Sequence, residues 1–208
     1  MSHYTSASPD AARWMMVSFV AALALSAAVL VLQGPGEHGI HTALFLTGRL
    51  NFLLFWPAYA GGALASLLGR ALAPIRRYGR VLGLGFATAL AVHLGLVAWL
   101  CAIGAAPGLS TFLLFGIAAA FAYLIALFSI ARLQRALGAT GWRLLTGIGM
   151  NVIAYAFAVD FLDGPLSGGA AHVALYLPFA ILSVVGPALR LAAFVYRLAG
   201  SSGFPRSA

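Results

Sequence analysis

The sequence predicts an all-α, polytopic membrane protein, built as one bundle of six transmembrane helices with the N and C termini in the cytoplasm. The first observation is composition: 62% of the 208 residues are hydrophobic and 8% are charged, whereas a soluble domain carries about 25% charged residues. The second is that the apolar residues form six segments of about 20 residues, enough to cross the hydrocarbon core as helices. The third is the placement of arginine, which orients the helices. We therefore expect the protein to lie in a lipid bilayer.

The six segments occupy most of the chain and leave no room for a separate soluble enzyme domain. We expect a single transmembrane domain over residues 1–208, with helices at about 14–32, 43–68, 81–102, 109–131, 144–161 and 170–198. The first segment is too long for the apolar part of a typical signal peptide and lacks a cleavage motif, so we expect it to be retained. Pro178 and Pro187 are expected to kink the sixth helix.

Arginine placement orients the bundle. The loops between the expected helices fall into two groups, and the loops of one group contain Glu37 and Asp163 but no arginine. Because positive residues stay on the cytoplasmic side, the sequence predicts a multi-pass protein of the bacterial inner membrane. Topology accounts for the charge of +8, so nucleic acid is not an expected partner. The arginines expected at the cytoplasmic face are Arg13, Arg70, Arg76, Arg77, Arg80, Arg132, Arg135, Arg143, Arg197 and Arg206.

His93 stands alone in the apolar run VLGLGFATALAVHLGLVAWL. Helix three enters from the cytoplasmic side near Val81, so His93 lies roughly 18 Å along it at 1.5 Å per residue, past the midplane. Ionisable residues at such depths are costly and usually face the bundle interior, where they bind a group or relay protons. The alternative is a neutral imidazole that hydrogen-bonds between helices. The residue alone leaves both open.

Three stretches, in order, resemble the ferric-reductase-like transmembrane family. LTGRLNFLLF, residues 46–55, is similar to the T-G-R start of the same helix in that family. RVLGLGFATALAVH, residues 80–93, places His93 ten residues after the first glycine of LGL, as in the family's third helix. RLQRALGATGWRLL, residues 132–145, resembles the entry to helix five. The similarity covers helices two to five, more than half of the chain.

The resemblance implies a transmembrane electron carrier, an oxidoreductase component that holds b-type haem between paired histidines. In that family electrons come from a cytoplasmic flavin reductase or from quinol, and they leave to an acceptor on the outer side. The resemblance implies that His93 is an axial haem ligand. In such a site, imidazole ligation and burial set the reduction potential of the iron. Arg49, from T-G-R, would meet a haem propionate or another anionic partner; the alternative is a snorkelling interfacial arginine.

The sequence departs from the family in helix five, where Thr146 and Val159 stand at the positions of two family histidines. An inner haem would lack a ligand, so we expect at most one haem b, on the outer side. The second-ligand candidates are His172 and His41, at the outer ends of helices six and two, and Asp160 is the candidate partner of the His93 ring. The alternative is a haem-free descendant of this fold that serves as a structural or assembly subunit of a larger membrane complex.

Overall fold

The computed structural model describes residues 9–130, 133–167 and 169–201. Within these residues the chain forms six long α-helices, one short 3-10 helix at Gly69–Leu72 and no strand. All six helices are long and apolar enough to cross a membrane, which confirms the predicted all-α six-helix fold. The helices are α1 (Pro9–Gln33), α2 (Glu37–Leu68), α3 (Ala73–Ala102), α4 (Leu109–Ile130), α5 (Gln134–Leu162) and α6 (Ala170–Ser201).

Several helices extend further than predicted into polar sequence. α2 begins at Glu37 rather than near residue 43, and α3 begins at Ala73 rather than near residue 81. Hydropathy marks the part of a helix inside lipid, whereas backbone hydrogen bonding continues into polar flanks. α5 begins at Gln134 rather than near residue 144, but Gly138 has φ 65° and ψ 173°, so a kink separates its first turn from the membrane span. Residue 131, Arg132 and Arg206 lie outside the described residues.

α2 is the central helix of the bundle. It packs along α3 and also contacts α1 and α6, while α4 packs on α5 and α5 packs on α6. α2 and α3 approach closely where Gly79 and Gly83 face Ala58; a methyl group on either glycine would lie 3.9 Å from Ala58. α3 and α5 have no backbone contact of their own in the described part of the chain, because side chains fill the space between them.

Six aromatic rings fill that interior, and we call them the phenylalanine core. The ring centroid of Phe55 lies 5.5 Å from that of Phe86 and 5.5 Å from that of Phe157. Phe52 and Phe161 are almost fully buried and lie 4.9 Å apart, edge to face. Such pairs are favourable beyond their area burial. The core links α2, α3, α5 and α6 and consists of Phe52, Phe55, Phe86, Phe157, Phe161 and Phe179.

The outer surface of the bundle is apolar, as a lipid-facing surface must be. α4 is the most exposed case, with Leu109, Phe112, Leu113 and Ile117 all more than half exposed. Side chains of this kind on six membrane-length helices indicate a multi-pass protein in a bilayer. An even number of crossings places the two ends of the described chain on the same side of the membrane.

Candidate functional site

His93 lies half-buried at the interface of α2 and α3, where its Nδ1 is 2.8 Å from Oγ1 of Thr47. Thr47 is completely buried, and its hydroxyl donates to the carbonyl oxygen of Ala43 at 2.7 Å. A hydroxyl carries one hydrogen, so a hydroxyl that donates to Ala43 can only accept from His93. With Ala43 as the hydroxyl's acceptor, the ring proton is on Nδ1 and Nε2 is an acceptor; in the other tautomer Nδ1 accepts the Thr47 hydroxyl hydrogen. Nε2 makes no hydrogen bond to any residue that the structure describes.

The polar surface of α2 continues one turn below Thr47 with Asn51. Asn51 is 1% exposed, and neither its amide nitrogen nor its amide oxygen has a hydrogen-bond partner in the described chain. Beside Thr47, Gly48 lies against the imidazole, since a methyl group there would be 3.8 Å from Cε1 of His93. The His93 ring is therefore held against α2 by Thr47 and Gly48, with an unsatisfied amide nearby on the same helix face.

Arg49 faces the opposite way, towards α6, and is enclosed by aromatic rings. Its Nε donates to the carbonyl oxygen of Leu175 at 3.3 Å, and its Nη1 donates to that of Phe45 at 3.1 Å. The guanidinium carbon lies 3.2 Å from the centroid of the Phe45 ring. Nη2 is buried and has no hydrogen-bond partner among the described residues. Three further rings, at 4.6, 5.3 and 5.6 Å, complete an aromatic cage: Tyr176, Phe179 and Phe161.

Asp160 is associated with Arg49 rather than with His93. Its side chain is exposed on α5, and its electrostatic interactions are with Arg49 and with the neighbouring Asp163. No hydrogen bond joins Asp160 to His93 in the described chain; Thr47 makes the contact that the sequence suggested for Asp160. The reason is the geometry of the bundle, in which α2 lies against α3 and α5 does not.

The two candidate second ligands also have other partners. The His172 ring stacks on Tyr176 with centroids 4.2 Å apart, and its Nε2 lies 3.2 Å from the carbonyl oxygen of Gly164. His41 is exposed in the second turn of α2, where its Nε2 lies 3.7 Å from the Glu37 carboxylate. Both contacts tie these histidines to the outer ends of their own helices. In the part of the chain that the structure describes, no three His, Cys, Asp or Glu side chains are grouped to hold a metal ion.

As packed, these residues do not fit a haem between α3 and α5. The phenylalanine core occupies that space: Phe86 of α3 and Phe157 of α5 lie 6.2 Å apart, and both contact Phe55. Val159 is 41% exposed, so the family ligand position it occupies points away from the interior. The hydroxyl of Thr146 donates to the carbonyl oxygen of Trp142, 2.8 Å away on its own helix.

Thr47 belongs to the T-G-R motif of the resemblance, but the sequence predicted no role for it or for Asn51. The signal was nonetheless present, because residues four apart lie on one face of a helix and an apolar helix offers polar side chains few other partners. Comparisons with known proteins give no match: no protein-family model, no curated protein and no solved structure corresponds to this chain. The resemblance to the ferric-reductase-like family therefore remains a prediction.

Proposed function

We propose that this protein is a haem-free membrane subunit, descended from a ferric-reductase-like bundle, with a structural or assembly role in a larger membrane complex. The observation that carries the proposal is the phenylalanine core. Rings from four helices pack in contact where a haem between α3 and α5 would lie. Aromatic packing of this kind stabilises a bundle without a cofactor, because its dispersion contacts replace those that a porphyrin would make.

In this proposal His93 stabilises the contact between α2 and α3. A neutral imidazole that hydrogen-bonds to Thr47 joins the two helices inside the membrane. Interhelical hydrogen bonds in membranes contribute about 0.6 kcal/mol on average and up to about 1.7 kcal/mol. The sequence left open that His93 is a neutral imidazole hydrogen-bonded between helices. This role needs neither a metal ion nor a second histidine.

A partner subunit would find polar contacts at the outer end of α5. Asp160 and Asp163 are exposed there, and Asp160 has only the longer-range attraction of Arg49 and no direct ion pair within the described chain. A carboxylate on a lipid-facing helix is costly. A basic or hydrogen-bonding segment of a neighbouring subunit would remove that cost, which supports membership of a complex.

Native electrophoresis of gently solubilised membranes tests this role. We expect the protein to migrate in a particle well above its 21.6 kDa mass plus a detergent micelle. Replacing both carboxylates, Asp160→Asn with Asp163→Asn, should release the free chain. The matched control is Glu37→Gln, which changes a carboxylate on the same side of the membrane. A wild-type chain that migrates alone would contradict the proposal.

The second candidate is the haem b electron carrier, with a quinol or flavin-reductase donor and an acceptor on the outer side. One observation favours it: Nε2 of His93 has no hydrogen bond in the described chain, as an axial ligand requires. A reduced-minus-oxidised spectrum of the purified protein separates the two candidates. A Soret band that shifts on dithionite reduction supports the carrier, whereas a colourless preparation from haem-replete cells supports the haem-free subunit.

A further inference from the structure

A shallow surface groove, too narrow to enclose a water molecule, runs between α5 and α6 in the half of the bundle nearer the arginine-rich face, and α2 forms its floor. Its apolar wall includes Trp56 of α2, Ala154 of α5, and Leu182 and Pro187 of α6. Nε1 of Trp56 donates to the carbonyl oxygen of Leu182 at 2.8 Å, which fixes the floor against α6. α6 approaches closely at Gly186, where a methyl group would lie 3.2 Å from that indole nitrogen.

One end of the groove is polar. The Tyr59 hydroxyl donates to Oδ1 of Asn151 at 2.8 Å. Nδ2 of Asn151 donates to the carbonyl oxygen of Gly147 at 2.8 Å, and its second hydrogen is not used in the described chain. The guanidinium carbon of Arg190 lies 4.4 Å from the centroid of the Tyr59 ring. A buried phenol, an exposed amide and a cation thus converge at one point, each from a different helix.

Arg190 has no counter-ion in the described part of the chain. No hydrogen bond or ion pair involves its guanidinium there, and the sequence contains four acidic residues. Three of these, Glu37, Asp160 and Asp163, lie at the opposite end of the bundle. The fourth, Asp10, begins α1, which does not contact α6. None of the described residues therefore supplies an anion that balances Arg190.

The position of Arg190 in the membrane identifies that anion. Arg190 is 20 residues from Ala170, the first residue of α6, so it lies about 30 Å along the helix, at the far boundary of the hydrocarbon core. Helical side chains lean towards the N-terminus of their helix, which brings the guanidinium back over Tyr59. Phospholipid phosphates lie at this boundary, and the acyl chains beside them extend into the core.

We propose that this groove binds an anionic phospholipid of the arginine-rich leaflet, which the positive-inside rule makes the cytoplasmic one. The lipid phosphate pairs with Arg190 and accepts the unused hydrogen of Asn151. One acyl chain lies along Trp56, Leu182 and Pro187. Charge complementarity selects an anionic lipid over a zwitterionic one, because no described residue is a counter-ion for Arg190. This inference does not depend on the proposed function.

Fluorescence quenching of Trp56, which lines the groove, tests the proposal. Trp14→Phe, Trp99→Phe and Trp142→Phe leave Trp56 as the single tryptophan. This chain is reconstituted in two phosphatidylcholine vesicle preparations, one with brominated phosphatidylglycerol and one with the same fraction of brominated phosphatidylcholine. We expect the anionic lipid to associate about fivefold more strongly, the factor that corresponds to about 1 kcal/mol for one arginine near a membrane surface. Unbrominated phosphatidylglycerol should reverse the quenching, whereas soluble glycerol phosphate should not.

Two variants distinguish a specific lipid-binding site from unspecific contact with the surrounding bilayer. Arg190→Gln should reduce the preference to unity. Arg143→Gln should leave it unchanged, because Arg143 is exposed on α5 and its Nε bonds to Ala139 of its own helix. Equal quenching by the two brominated lipids, or an undiminished preference in Arg190→Gln, would overturn the proposal. Either result would show that Trp56 contacts only the lipids of the surrounding bilayer. If Arg190→Gln does not fold, failure of unbrominated phosphatidylglycerol to reverse the quenching in the parent chain overturns it equally.

Discussion

Two neighbouring polar residues of α2 serve opposite interfaces. Thr47 faces α3 and hydrogen-bonds to His93, whereas Arg49 faces α6 and lies in the aromatic cage. Residues two apart on a helix point about 200° apart, while residues four apart share a face, which is why Asn51 returns to the side of Thr47. The run TGRLN therefore ties α2 to two other helices within five residues.

Thr47→Val tests the contact with His93. Valine keeps the shape of threonine but leaves Nδ1 of His93 without its partner. We expect the free energy of unfolding to fall by about 1 kcal/mol, measured by reversible denaturation in mixed micelles. Thr42→Val is the control, because the Thr42 hydroxyl bonds to the His38 carbonyl of its own helix. A Thr47→Val/His93→Leu double-mutant cycle with zero coupling energy would refute the contact.

Arg49 variants test the aromatic cage. Arg49→Ala leaves an empty space among four rings and should cost about 2–4 kcal/mol in the free energy of unfolding. Arg49→Met fills the cage without a charge and should cost about 1 kcal/mol or less, because an apolar side chain of similar size can replace a buried ion. The measurement is again denaturation in mixed micelles. Arg49→Ala with no larger effect than Arg143→Ala would contradict this account.

For the helices, the sequence predicted that each exists and which residues it contains, but not how it is rotated. Length and hydropathy define each helix, and His93 lies on the third helix as predicted. Rotation requires a contrast between polar and apolar faces, which a helix apolar on all sides lacks. For this reason neither the outward direction of Val159 nor the pairing of His93 with Thr47 could be predicted.

Two neighbouring glycines of α5 test its packing. A methyl group at Gly149 would lie 2.9 Å from side-chain atoms of Phe121 and Ile125 of α4, whereas one at Gly147 meets nothing within 4 Å. Alanine is the better helix former by about 1 kcal/mol. We therefore expect Gly147→Ala to be neutral or stabilising and Gly149→Ala to be destabilising by about 1–3 kcal/mol. Thermal unfolding in detergent checks both, and equal effects would show that α4 and α5 pack differently.

For the whole molecule, six crossings and the arginine distribution predict the topology. In a Cys101→Ala background, Gly36→Cys lies between α1 and α2, and Leu133→Cys lies between α4 and α5. We expect a membrane-impermeant thiol reagent to label Gly36→Cys in intact cells and Leu133→Cys after permeabilisation, because arginine-rich loops stay in the cytoplasm. The reverse labelling pattern would show that the bundle has the opposite orientation and that the proposed lipid site lies in the other leaflet.

If aromatic side chains fill the space in which a ferric-reductase-like protein would hold haem, the purified chain should carry no haem. The most direct test is the haem content per polypeptide, determined as the pyridine haemochrome, for the wild-type chain and for His93→Leu from haem-replete cells. We expect far less than one haem per chain in both proteins. About one haem per wild-type chain, lost in His93→Leu, would contradict it and establish His93 as an axial ligand.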